Sequence, residues 1–179
     1  MNIFDSYRLE ANPDLAVQMQ AYMRNQFKFL GIQTKRRVEI TKVFFKEIKF
    51  EKEFNWAFVF SCFSMEEREF QYLGLSYLSK KWMLIRENEF VNIEKLAFIK
   101  PWWDSIDSIA PYIGHLVIKY PTLKNKFIYK WMNSGELWLI RWSIIYQLKY
   151  KKDTDLNTLT DVILQNYSTK EFFINKAIG

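Results

Sequence analysis

Apolar residues recur three and four positions apart along most of the chain, and sustained two-residue alternation is missing. That period predicts helices joined by short connections, and no convincing strand. The clearest start signal is "NPD": Asn12 suits an N-cap, Pro13 the first helical position and Asp14 the first turn. The helix it opens is expected to run to a stop near Gly31. A second helix is expected from a cap at Thr34, through "TKRRVEITKVFFKEI". Further helices are expected near 53–63, 66–81, 88–99, 101–119, 121–133, 136–150, 154–167 and 169–178.

Alternate helices resemble one another. "EREFQYLGLSYL", "WWDSIDSIAPYI", "LWLIRWSIIYQL" and "KEFFINKAIG" align by their apolar stripes. Phe70 then falls on Ile106, 36 residues on, and Ile106 on Ile140 and Ile140 on Ile174, 34 residues on each time. A helix pair recurring at about 35 residues predicts an all-α solenoid of HEAT- or TPR-like antiparallel helix pairs. The stretch 1–179 is read as a single repeat domain.

In "KPWWDSIDSIAP" (100–111) the core stripe is Trp102, Ile106, Ile109, Ile113 and Leu116. Trp103 and Asp107, four apart, share a face about 100° round from it. Pro111 cannot donate to the Asp107 carbonyl and is expected to kink the helix. The residues following the aligned apolar ones are Gln71, Asp107, Arg141 and Asn175, all polar. Stacked repeats would place them in a line on one surface, flanked by Trp103, Trp138 and Trp142. A solvated face would favour Lys and Glu instead, so this line reads as a binding face.

Lys35, Arg36 and Arg37 crowd the first turn of their helix, where cations oppose the helix dipole. A phosphate bound there would reverse the sign of that effect, which makes the three candidate phosphate contacts. The run "KYKK" (149–152) lies near a helix C-terminus, where cations are favourable anyway.

Composition narrows the classes. Of 179 residues, 49% are apolar and 18% aromatic, enough for a core, while Gly (5) and Pro (4) are scarce for a turn-rich β fold. The net charge of +6 favours a polyanionic partner such as nucleic acid. A single cysteine, Cys62, and a single histidine, His115, leave no disulfide framework and no zinc cluster. Cys62 reads as a small core residue. No glycine-rich phosphate loop or paired-histidine spacing is present, so no metal or cofactor is expected. The N-terminus "MNIFDSYRLE" lacks a signal-peptide layout and no apolar run has membrane-spanning length, so a cytoplasmic protein without a membrane partner is expected. A monomer is expected as well.

A basic scaffold presenting Trp and one carboxylate suits one reaction well. A ring-alkylated purine in DNA is already cationic and leaves without protonation. A carboxylate near the anomeric carbon stabilises the oxocarbenium character of the sugar and orients water, while aromatic faces hold the cationic base.

The sequence also resembles the bacterial DNA alkylation repair glycosylases built from HEAT-like repeats, over nearly the whole chain. The resemblance is carried by "YMRNQFKFLGIQT" (22–34), "EREFQYLGLSYL" (67–78), "KPWWDSIDSIAP" (100–111), "LWLIRWSIIYQLKY" (137–150) and "KEFFINKAIG" (170–179). It implies a right-handed superhelix with a concave, basic DNA-binding face. It further implies removal of N3- and N7-alkylated purines from double-stranded DNA in base excision repair, with Trp103 and Asp107 as the functional pair and Arg141 and Tyr22 on the DNA. The family continues past "KAIG" with a tryptophan and a basic, aromatic segment. This sequence is therefore expected to lack its capping helices and to expose Phe172 and Ile178. Two other readings remain: a relative that binds damaged or branched DNA without excision, and a helical protein-interaction scaffold. Asp107 and Trp103 favour excision over binding alone, and the basic charge favours DNA over a protein partner.

Overall fold

The computed structural model describes residues 2–179 and is all-helical; no strand beyond the isolated bridge Lys28–Glu67 occurs among the described residues. Among the described residues eleven α-helices follow one another: α1 Ile3–Arg8, α2 Pro13–Tyr22, α3 Thr34–Glu47, α4 Trp56–Ser64, α5 Arg68–Lys81, α6 Val91–Leu96, α7 Trp103–Lys119, α8 Tyr129–Met132, α9 Leu137–Ile145, α10 Leu156–Asn166 and α11 Phe172–Ile178. The chain divides into two compact units, Met1–Leu84 and Ile85–Gly179.

In the first unit α4 packs on α5 and α1 on α3. Tyr7, Ile32, Cys62, Phe70 and Leu73 form one core cluster, bordered by Phe4 and Phe58. Burial pushes the Cys62 thiol up to about 12, so it is inert core filling, as its isolation in the sequence suggests.

α2 starts as its caps predict: Asn12 accepts from Leu15 N–H at 3.0 Å with Pro13 first in the helix. It stops at Tyr22, nine residues before the expected Gly31, because Arg24 and Asn25 take the left-handed conformation (φ 53° and 56°). The chain then runs without regular structure to Gln33, and a buried carboxylate holds it there. Glu69, fully buried on the first turn of α5, accepts the backbone N–H groups of Leu30, Gly31 and Ile32 at 2.9, 2.9 and 3.0 Å. Gly31 is required at this point. Its φ is 87°, and a methyl on it would lie 2.0 Å from the Asn12 carbonyl oxygen. Thr34 is the first residue of α3 rather than its cap; Gln33 takes the cap position without a side-chain bond. α1 was missing from the expected elements; Asn2 caps it through Asp5 N–H.

The second unit is joined at the predicted interval. Trp142 Nε1 donates to the Ile106 carbonyl at 2.8 Å, 36 residues away, and Tyr150 Oη to Gly114, also 36 away, at 2.7 Å. Trp131 Nε1 reaches Glu94 at 2.7 Å across 37 residues, and Arg141 reaches Asp107 across 34. These are contacts between successive repeats of a solenoid. Phe70, Ile106, Ile140 and Ile174, the four residues aligned by sequence, are 0%, 1%, 7% and 2% exposed. Helix 121–133 is a π-turn, Lys124–Ile128, followed by the short α8. Helix 136–150 ends at Ile145, so "KYKK" lies in the turns beyond it.

α7 runs continuously through Pro111 and approaches the turn after α9 very closely at Gly114. A Cβ there would sit 2.4 Å from the Tyr146 carbonyl oxygen, which is backbone and cannot step aside. Gly114→Ala is expected to lower stability by about 1–3 kcal/mol, read from the urea midpoint.

Candidate functional site

The site is built on α7, α9 and the start of α11. Lys100, before Pro101, sits in the left-handed region (φ 47°), and Trp102 is extended as the N-cap of α7. Ser105 Oγ closes this entry by donating to the Trp102 carbonyl at 3.0 Å and accepting its N–H at 3.4 Å. Trp103 is therefore the first helical residue, half-buried, and Asp107 follows one turn later.

Arg141 projects from α9 and grips the Asp107 carboxylate with two nitrogens. Nε donates to Oδ1 at 2.8 Å and Nη2 to Oδ2 at 2.7 Å. Its third nitrogen, Nη1, donates to the Phe173 carbonyl at 2.6 Å. Arg141 is 8% exposed, whereas the Asp107 side chain is 37% exposed. A planar guanidinium matches both carboxylate oxygens, so the pairing fixes the orientation of the carboxylate while part of it stays open to solvent. The Phe173 ring packs on Trp138 (5.0 Å between centroids) and Trp102 (5.3 Å), and Trp102 and Trp138 meet edge-on at 6.2 Å. One side of the ion pair is thus tied to an aromatic cluster.

Of the expected polar line, the structure joins Asp107 and Arg141 directly. Asn175 is exposed on α11, with Nδ2 donating to the Thr169 carbonyl at 3.2 Å. Gln71 corrects the expectation: it is fully buried, and its amide donates to the carbonyls of Cys62, Phe63 and Met65 at the end of α4. Trp142 is likewise fully buried and lines no surface; Trp102, assigned to the core stripe, is only half-buried and belongs to the aromatic cluster.

In the first unit Tyr22 ends α2 at 74% exposure. The three cations of α3 separate. Arg36 is held by Glu10 (2.6 and 2.8 Å) and Glu39 (3.1 Å), pairs that favour its charged form. Arg37 turns inward, donating to the Ile32 carbonyl at 2.6 Å and stacking over Tyr72. Lys35 alone of the three stays exposed and outside any such pairing. The sequence reading missed the Phe173 carbonyl and Trp102. A backbone acceptor leaves no trace in side-chain identity, whereas the adjacent aromatics Trp102, Trp138 and Phe173 were a usable signal. Among the described residues no group of three or more His, Cys, Asp or Glu is placed to hold a metal, and no helix is long and apolar enough to cross a membrane.

The fold is an all-helical solenoid, and it carries a fixed carboxylate beside tryptophans. The chain matches the family described as DNA alkylation repair enzyme over residues 5–179, and belongs to it. Among solved structures it is similar to a protein described as a predicted DNA alkylation repair enzyme from Enterococcus faecalis. The two are 29% identical with a TM-score of 0.85, over 93% of this chain and 79% of that one. No curated protein matches it.

Proposed function

We propose that this DNA repair protein is a glycosylase that releases N3- and N7-alkylated purines from double-stranded DNA in the cytoplasm. The observation that carries the reading is the Asp107 carboxylate, held bidentately by Arg141 one turn from Trp103 and still open to solvent.

The alkylated purine is cationic, so the N-glycosidic bond breaks with its electron pair moving to the base. The positive charge passes to the sugar. Asp107 faces that charge, and its second task is to orient the water that attacks the anomeric carbon and gives up a proton, leaving an abasic site. Trp103 supplies an aromatic face for the cationic nucleotide. Arg141, with all three nitrogens turned into the protein, acts by holding the carboxylate in place.

Incubating the protein with a duplex containing one 7-methylguanine should release free 7-methylguanine in a time-dependent way, followed by chromatography of the freed base. A duplex left intact while the protein remains bound would favour a binding relative without excision.

A further inference from the structure

We infer that the outward face of α3, continued by the 3-10 turn Ile48–Phe50, is a docking surface for the phosphate backbone of duplex DNA, made by Lys35, Lys42 and Lys46 of the helix and Lys49 of the turn. The inference rests on the reading that DNA is the substrate, and it names where the first unit meets it.

All four lysines are exposed, and none has an ion pair among the described residues; Lys49 lies over the neighbouring Phe50 ring at 5.4 Å. Their spacings of seven, four and three residues return to the same side of a helix, within about 60° of one another. The row is about 21 Å long at 1.5 Å per residue. Along one strand that length passes roughly six phosphates. The carboxylate bordering this arc, Glu39, is held by Arg36, and Arg36 is itself held by Glu10. The cations left to meet a partner are thus all lysines in a row. Lys is a compact point charge without the fork that reads a base edge or a particular carboxylate. Such a row suits a regular, sequence-independent polyanion, and duplex DNA is the polyanion of this protein's family.

This redraws the phosphate site. The three consecutive cations at 35–37 are replaced by Lys35 and the three lysines that follow it along the helix and the turn after it.

The test is the salt dependence of binding to an undamaged duplex, measured by fluorescence anisotropy on the full chain. Replacing all four lysines by Gln, which keeps helix propensity, should flatten the slope of log affinity against log salt by about 3–4, near 0.9 for each phosphate contact. Lys42→Gln with Lys46→Gln should remove about half of that, and serves if the fourfold variant folds poorly. Arg36→Gln should leave the slope nearly unchanged. An unchanged slope in the lysine variants overturns the inference, as does undetectable duplex binding by the unaltered protein. Loss of binding to phosphatidylserine–phosphatidylcholine vesicles with duplex binding intact would also overturn it, by assigning the face to a lipid surface. A lysine-dependent slope in a protein that releases no base would support the docking face and refute the glycosylase reading, so the two fail separately.

Discussion

Asp107→Asn is expected to slow release of 7-methylguanine by about 10²–10³-fold, the size of effect seen when one preorganised electrostatic contact is lost. The substitution keeps shape and removes charge. Arg141 would keep its bond to the Phe173 carbonyl and could still donate to the amide oxygen, so α7, α9 and α11 should stay in register. DNA affinity should change little, because the missing charge faces the sugar and not the phosphates. The control is Asp104→Asn. Asp104 lies three residues earlier, in the first turn of α7, where a carboxylate favours the helix dipole. Its loss should change the rate only slightly. Single-turnover excision by the two variants decides the matter, and equal rates would end the assignment.

Glu69→Ala is expected to destabilise the protein by about 3–5 kcal/mol, the range for breaking a buried charged pairing. Three backbone N–H groups, from Leu30, Gly31 and Ile32, point at this one carboxylate. Each donor left without an acceptor costs about 1–3 kcal/mol. The alternative partners are few, since Gly31 is pressed against the Asn12 carbonyl and cannot turn away. The stretch 24–33 should open first, because these three bonds anchor its C-terminal end to α5. Urea denaturation gives the loss, and limited proteolysis should place the first cut within 24–33. Glu10→Gln is the contrast. It breaks the pair with Arg36, where both side chains are a third or more exposed, and solvent screening leaves pairs of that kind with little effect on stability. Comparable midpoints for the two variants would refute the buried-anchor account.

The periodic content of the fold was legible because burial of an apolar stripe is a property of one helix and its spacing. Phe70, Ile106, Ile140 and Ile174 could be aligned from sequence for that reason, and all four are buried. Asp107 and Trp103 were found the same way, as residues off the stripe. The lysine row along α3 and the turn after it was equally readable by period but was hidden behind the denser cluster at 35–37.

What failed were statements about what stands opposite a side chain. Arg36 and Arg37 read as free cations until Glu10, 26 residues from Arg36, and the Ile32 carbonyl took them. Gln71 read as a surface residue until the end of α4 came to lie against it. The stretch 23–33 has helical spacing, yet it is irregular, and a carboxylate 39 residues beyond Leu30 holds its end.

The helical class, the repeat of about 35 residues and the residues off the core line can all be read from the order of residues, since they follow from periods along one chain. Only the packed chain settles that Arg141 closes on Asp107 and Phe173, that Glu69 gathers the backbone of Leu30, Gly31 and Ile32, and which cations remain open to a partner. Each of those outcomes depends on two groups brought within about 3 Å of each other, where hydrogen bonding and desolvation act. Spacing along the chain fixes the side of a helix on which a group stands, but not the group that folding brings to face it.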